Sequence, residues 1–575
     1  MCGIAGVIGH ADARKQVARM LAGLSHRGPD GCGIFEAGPD AALGHARLAI
    51  LDLSPAGAQP MTSRDGRWTI SLNGEIVNFC ELRRALGAAG WRSSGDTEVL
   101  LEACAAWGVE RTLDRLTGMF AFALWDARER ELTLARDRMG EKPLVYVEAG
   151  RTLAFASELK ALAEFHARRL DAAAVESYLA LGYVPAPLAI FRGIRKLPAG
   201  HWMRWKNGAS TVARWWRPER TLVTAPRTFP ERKAQARSLI HDAVRLRLRA
   251  DVPVALALSG GVDSTVIAAE AAREGISIEA FTVAAEGDGT DLQFARLAAK
   301  KYGLRHEVLT TPAIAACQRV LDAARRYDEP FADSSALQSL ELARALAGRY
   351  KVVLTGDGGD EAFGGYPHYA RIAVKQAAKA VAAVAGLLDG TGATGVYVQS
   401  KAIFRKRERR GLLEGRASDG WAEMLGGDEF LRAAPKGALK RALWTDRHLH
   451  LANGLLHKMD IAVGAHGLEA RSPFLDHRVL EWAQQLPHAD LVRGGAAKIL
   501  LREAYREELP PEISARSKHG FGAPIGSWLA GPLRPLLREC LPCRLLHPKR
   551  QESSGQRLWT LLMFAQWADY WRATW

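Results

Sequence analysis

Cys2 follows Met1, so removal of the methionine would leave a thiol and a free α-amine on one residue. The amine's reference pKa is about 7.7–8.0, and its neutral fraction near pH 7 can take the thiol proton. That makes a nucleophile without a histidine partner. A different chemistry is written where Val254-Ala-Leu-Ala-Leu258 runs into Ser259-Gly260-Gly261-Val262-Asp263-Ser264. Glycines let backbone approach a phosphate closely, and a helix start behind them offers free N–H groups to pyrophosphate. The segment lacks the GxxxxGK[ST] spacing of a Walker A loop. A second glycine-rich loop, Thr355-Gly356-Asp357-Gly358-Gly359-Asp360-Glu361, also follows an apolar run. Brought together, Asp263 and Asp360 would hold Mg2+ on nucleotide phosphates; taken alone, the loop is a solvated acidic turn.

Each motif needs an element to aim it. Ala42–Leu51, Trp68–Leu72, Met119–Trp125 and Leu132–Arg136 read as strands, and Thr97–Trp107 as a helix with Val99, Leu100, Ala103 and Cys104 on one face. No long parallel βαβ series accompanies them, which suits two sheets between helix layers. From Lys206-Asn207-Gly208 to Pro226 the text is irregular and reads as a linker. Beyond it, strands at Val254–Leu258, Ile278–Val283 and His306–Leu309 alternate with helices at Thr265–Arg273 and Leu292–Lys301. Continuous apolar strands alternating with helices predict a doubly wound parallel sheet. The stretch from Ala373 to about His450 reads as helical without motifs, and Leu558–Trp571 as an amphipathic helix capping a core.

A chain of 575 residues is too long for one core. With 48% hydrophobic and 25% charged residues it has the composition of a soluble globular protein. The seven cysteines are scattered, which argues against a disulfide framework and for a reducing, cytoplasmic setting. Cys32, Cys80 and Cys104 read as core or structural thiols; Cys540-Leu-Pro-Cys543, with only His547 near, lacks a second pair of metal ligands. The start has no basic n-region and only a short apolar stretch, so no signal peptide is expected. No uncharged run approaches the roughly 18 residues of a membrane span. The formal charge of +15 raises nucleic acid as a partner, yet the basic residues are dispersed, clustering only at Arg405-Lys-Arg-Glu-Arg-Arg410. No recognised nucleic-acid module accompanies them, and a positive field equally suits an anionic substrate.

The first 200 residues carry an ordered set: Cys2, His26-Arg-Gly-Pro-Asp30, Arg47 within Gly44–Ile50, Asn73-Gly74-Glu75, Gly95-Asp96, Arg136-Asp-Arg-Met-Gly140 and Lys142-Pro-Leu144. This set resembles the class II glutamine amidotransferases, which are N-terminal-nucleophile glutaminases. The resemblance implies that Cys2 attacks the glutamine side-chain amide and ammonia leaves. The Asn73 side chain and the Gly74 N–H would hold the oxyanion. Arg47 would fork onto the α-carboxylate, and Glu75 and Asp96 would receive the α-ammonium. Taken singly, Arg47 is a strand-surface charge, Asn73-Gly74 a hairpin turn and Asp96 a helix N-cap.

Ser259–Ser264 looks like the PP-loop of ATP pyrophosphatases. With Asp328-Glu-Pro-Phe-Ala-Asp333-Ser-Ser335, Leu468-Glu-Ala-Arg471-Ser-Pro-Phe-Leu-Asp476, Lys498-Ile-Leu-Leu-Arg502 and Arg516-Ser-Lys518, the second part resembles the synthetase domain of glutamine-dependent asparagine synthetases. The resemblance implies ATP held by Leu258, Ser259, Gly260, Gly261, Asp263, Ser264, Val283, Gly356 and Lys498, with Lys498 stabilising departing pyrophosphate. Mg2+ would sit on Asp263 and Asp360. Asp357 would stand beside the acyl-adenylate, where some members carry glutamate, and is given no proton to move. Lys458-Met-Asp460 continues as Ile461-Ala-Val-Gly464, less polar than the family text, which leaves the acceptor open.

The expectation is an α/β chain: an αββα Ntn-hydrolase sandwich at residues 2–205, a linker at 206–226, and a doubly wound PP-loop domain with helical additions at 227–575. Its partners would be small molecules (glutamine, ATP, and aspartate or another carboxylate), with no nucleic acid and no membrane insertion; a homodimer is compatible with the sequence. Aspartate is the expected acceptor, with a uronic acid of surface-polysaccharide assembly as the alternative. A non-catalytic nucleic-acid binder on an enzyme scaffold is the rival, and intact Cys2 and Asp263 speak against it.

Overall fold

The computed structural model describes residues 1–87, 90–220, 224–285, 290–311, 315–377, 392–414, 416, 428–518, 522–540 and 555–575. Its first part holds strands β1 (Gly3–Ile8), β2 (Gly31–Glu36), β3 (Ala41–Arg47), β4 (Met61–Thr62), β5 (Trp68–Ile76) and β6 (Gly118–Asp126). They are followed by β7 (Glu131–Arg136), β8 (Val145–Ala149), β9 (Thr152–Ala156), β10 (Ile194–Lys196), β11 (His201–Lys206) and β12 (Ala209–Arg214). These make two six-stranded sheets, ordered β10-β8-β9-β1-β3-β2 and β12-β11-β7-β6-β5-β4. Ile4, Leu43, Phe155, Trp125, Leu134 and Met203 interlock between them. The helix Ala13–Leu24 covers the outer face of one sheet, and Phe79–Leu86 with Asp96–Trp107 that of the other. Every residue of β1 is buried because both of its faces are covered. This is the expected αββα sandwich.

Local expectations differ at four places. Asn73-Gly74 is no turn: it lies inside β5, opposite Ala121 and Phe120 of β6. Gly95, not Asp96, caps the helix Asp96–Trp107, which frees the Asp96 carboxylate to accept the Ile76 N–H at 2.8 Å. Asn207-Gly208, read as the start of a linker, is the turn between β11 and β12, so the second sheet continues to Arg214. Cys32 is exposed on β2, whereas Cys104 is buried as expected. Cys543, His547, part of the 373–450 stretch and three residues of the expected linker fall outside the described residues.

The second part is built on a wholly parallel sheet of β13 (Val254–Ala257), β14 (Glu279–Ala285), β15 (Arg305–Thr311), β16 (Val352–Leu354) and β17 (Glu469–Arg471). Its order, β15-β14-β13-β16-β17, reverses direction at β13 and places β17 at the edge facing the first part. The helix Gly555–Trp571 does cap a core, and that core is shared. Trp559, Leu562 and Trp567 pack with Tyr178 and Phe191 of the first part, and the Tyr178 hydroxyl donates to the Thr560 carbonyl at 2.7 Å. Asp30–Lys351 (2.8 Å) and Arg27–Asp460 (2.9 Å) ion pairs also bind the two parts. No helix among the described residues is long and apolar enough to cross a membrane.

Candidate active sites

A small cavity at the junction is lined by Cys2, Arg47, Gly74, Glu75 and Asp96, and on its far wall by Glu469 and Arg471. β3 ends at Arg47, β5 delivers Gly74 and Glu75, a helix start delivers Asp96, and β17 reaches in from the parallel sheet. The Cys2 Sγ accepts the Leu48 N–H at 3.4 Å and lies 3.7 Å from the Leu48 carbonyl. Met1 is buried completely, its ammonium donating to the Leu468 carbonyl at 2.7 Å. Burial pushes that amine down to about 5 and the Cys2 thiol up. The methionine side chain packs with Phe281, Val283, Val463 and Leu468.

Asn73 is fully buried, and neither its side-chain oxygen nor its nitrogen meets a partner. Buried amides are almost always satisfied, so an unpaired one next to a cavity residue points to a ligand that completes it. Gly74 has φ +136°, and a Cβ there would collide with the Met119 carbonyl. Only glycine brings its N–H this close. Arg47 is not a strand-surface charge: its guanidinium donates to the Ser54 carbonyl at 3.0 Å and to that of Asp52. Burial pushes the Asp96 carboxyl up to about 6. It also pushes Glu75 up, against the pull of the Arg471 guanidinium it touches.

A larger cavity of about 310 Å³ opens at the carboxyl ends of β13, β14 and β16, where open α/β sheets hold ligands. Leu258, Ser259, Asp263, Ser264, Val283, Gly356, Asp357 and Asp360 all line it. Gly261 and Lys498 line an adjoining cavity with Arg502, Arg516 and Lys518. Gly260 lines neither; it serves by conformation, with φ +68° and its carbonyl accepting from Arg516 at 3.2 Å. Lys498 itself is left-handed (φ +57°), a strain that residues at functional sites tolerate. Its ammonium lies 2.5 Å from both Asp263 and Asp360, and Lys518 lies 2.7 Å from Asp360. Burial would raise Asp360, but Lys498 and Lys518 hold it down at about 2. The described residues contain no cluster of three or more His, Cys, Asp or Glu with metal-holding geometry. The pair of aspartates still fits a phosphate-bound cation: they flank one positive charge already, and the buried Asp263 Oδ1 has no partner.

Sequence reasoning passed over several cavity residues. Lys458 donates to Ser335 Oγ at 2.7 Å and pairs with Asp333 at 3.2 Å, forming the end of the large cavity with His450. All but His450 lie in segments quoted for the resemblance. The less polar continuation, by contrast, is off the cavity: Ile461 and Val463 are core residues, and Asp460 turns to Arg27. Glu469 and Arg471 lie in a segment quoted for the synthetase resemblance, but nothing in the sequence says that β17 borders the first cavity.

Two family profiles match: one described as "Glutamine amidotransferase domain" over residues 1–216, and one described as "Asparagine synthase" over residues 235–569. Asparagine synthetase [glutamine-hydrolyzing] 3 of Bacillus subtilis is 30% identical, covering 91% of this chain and 87% of that protein. Asparagine synthetase [glutamine-hydrolyzing] 1 of the same organism is 28% identical over 99% of this chain and 96% of its own length. Among solved structures, B. subtilis glutamine phosphoribosylpyrophosphate (PRPP) amidotransferase is 17% identical with a TM-score of 0.29, covering 63% of this chain and 77% of that one.

Proposed function

The chain belongs to the asparagine synthase family, and from that premise we propose that it is a glutamine-hydrolysing asparagine synthetase working through two separate sites. Once Met1 is removed, the Cys2 amine takes the thiol proton and the sulfur attacks the side-chain amide of glutamine. Asn73 and the Gly74 N–H stabilise the oxyanion, Arg47 grips the α-carboxylate, and Glu75 and Asp96 seat the α-ammonium. Ammonia leaves, and water releases glutamate from the thioester.

At the second site the acceptor carboxylate attacks the α-phosphate of ATP, and pyrophosphate departs. A carboxylate is a poor electrophile until its oxygen becomes a good leaving group, which AMP provides. The PP-loop backbone and Lys498 hold the phosphates, and Lys498 offsets the charge that builds on pyrophosphate. Asp263 and Asp360 would hold Mg2+, whose charge would further neutralise the triphosphate. Lys458 suits a carboxylate of aspartate at the far end of the cavity. Ammonia then displaces AMP. The chamber filled by the Met1 side chain borders Phe281 and Val283, which also line the nucleotide cavity. Emptied, it would offer ammonia a route closed to bulk water, lined by these apolar residues and by the Lys142 ammonium that touches the methionine sulfur.

The observation that carries the reading is the unsatisfied Asn73 amide beside the Cys2 cavity, in one chain with a PP-loop cavity. The uronic-acid alternative gains nothing from the structure, because the departure that suggested it lies off the cavity. The division proposed is a glutaminase part, a connection and a synthetase part, with residues 2–205, 206–226 and 227–575 moved only by the extension of the second sheet to Arg214. The test is to incubate the methionine-free protein with ATP, Mg2+, glutamine and aspartate. Asparagine, AMP and pyrophosphate are expected. Cys2→Ala should abolish use of glutamine yet keep ammonium-driven synthesis within roughly threefold, since that thiol has no task at the second site. Absence of asparagine, or loss of both activities in the variant, would refute the reading.

A further inference from the structure

Arg471 belongs to the parallel sheet yet ends in the cavity that holds Cys2. It is completely buried. Its Nε donates to Glu469 at 2.9 Å, its Nη1 to the carbonyls of Arg249 at 2.7 Å and Arg247 at 3.0 Å, and its Nη2 touches the Glu75 carboxylate. Apart from that ion pair, neither oxygen of Glu75 meets a hydrogen-bond partner. Glu75 is also the proposed seat of the glutamine α-ammonium, so two cations compete for one carboxylate.

The same residue is tied to the other cavity. Its carbonyl accepts the Thr355 N–H at 3.0 Å. The neighbouring Ser472 hydroxyl lies 2.6 Å from that of Thr355, which donates to Asp357 at 2.7 Å. Asp357 lines the nucleotide cavity.

We propose that Arg471 is a positioning residue that couples the two sites: glutamine arriving at Glu75 displaces its guanidinium, and the displacement reaches Asp357 through Ser472 and Thr355. This rests on the reading of the Cys2 cavity as the glutamine site. No bond forms or breaks; one ammonium replaces one guanidinium beside a carboxylate. Linkage makes the effect reciprocal, so ligands that fix the Asp357 loop must alter the affinity for glutamine by the same factor. A mere anchor would need the backbone carbonyls of Arg247 and Arg249 but not the hydroxyl chain to Asp357.

The test uses the methionine-free full-length protein and the KM of glutamine hydrolysis, with and without a non-hydrolysable ATP analogue, Mg2+ and aspartate. A change of at least roughly fivefold is expected for the native chain, the lower end of ordinary coupling. Ser472→Ala breaks the chain of hydroxyls outside both cavities. Its KM without nucleotide should match the native value, while the change on adding nucleotide falls to within roughly twofold of none. Arg471→Lys should lose the change as well and alter the starting KM. A native chain with no change, or a Ser472→Ala protein that keeps it, overturns the proposal. Failure of the underlying reading shows separately, as glutamine hydrolysis that survives Cys2→Ala.

Discussion

An amide buried with both polar atoms unpaired, as at Asn73, costs about 1–3 kcal/mol and is kept only where a ligand repays it. Asn73→Ala should therefore leave stability unchanged or slightly higher. It should lower the glutaminase kcat by about 10²–10³-fold with little change in KM, read as glutamate released. Asp96 gives a pH prediction. Burial raises its carboxyl to about 6, so below that pH it is increasingly neutral and, on the proposed reading, would attract the glutamine ammonium less. The KM for glutamine should rise as pH falls from 7 to 5, and Asp96→Asn should show a high, flat profile in the same assay. Cys2, Asn73 and Asp263 could be named from the sequence because their motifs are local and continuous; the structure sets Cys2 and Asp263 in the two cavities and Asn73 next to the lining residue Gly74. Arg471 was not, because its partner Glu75 lies in a different sheet and only the fold makes them neighbours.

Within the elements, Gly74 shows how a strand can carry a site. Its φ of +136° and the Met119 carbonyl leave no space for a side chain. Gly74→Ala should cost about 1–3 kcal/mol. It should lower the Tm of the first part by roughly 2–7 °C in a thermal melt and abolish glutaminase activity. The same dipeptide misleads at sequence level, since Asn-Gly favours hairpin turns and only pairing with β6 reveals a continuous strand. Strands β13 to β16 were readable to within a few residues from their apolar runs, whereas β17, Glu469-Ala-Arg471, has no such run and was not. The β11–β12 hairpin was not, because its exposed edge carries no alternating pattern. Nor was the wide-turned helix Asp446–Leu455, which brings His450 and Leu455 to the large cavity. Its i→i+5 bonding comes from packing and is a frequent companion of functional sites.

At the scale of the molecule, the two parts share cores and charges. Trp559 is completely buried among residues of both. Trp559→Ala should cost about 3–5 kcal/mol. In calorimetry it should lower the unfolding of the first part along with the second rather than the second alone. Burial also takes some of the basic residues away from water: Arg27, Arg247, Arg409 and Arg471 are interior groups paired with carboxylates or carbonyls. Composition counts charges but does not say which face water. Burial of Met1 has a consequence for biogenesis. A peptidase must draw an extended terminus into its own cleft, and in the closed protein that terminus is sealed beneath two sheets. Trimming is therefore expected before the fold closes. On the proposed reading, a molecule that closes untrimmed is expected to use free ammonia but not glutamine.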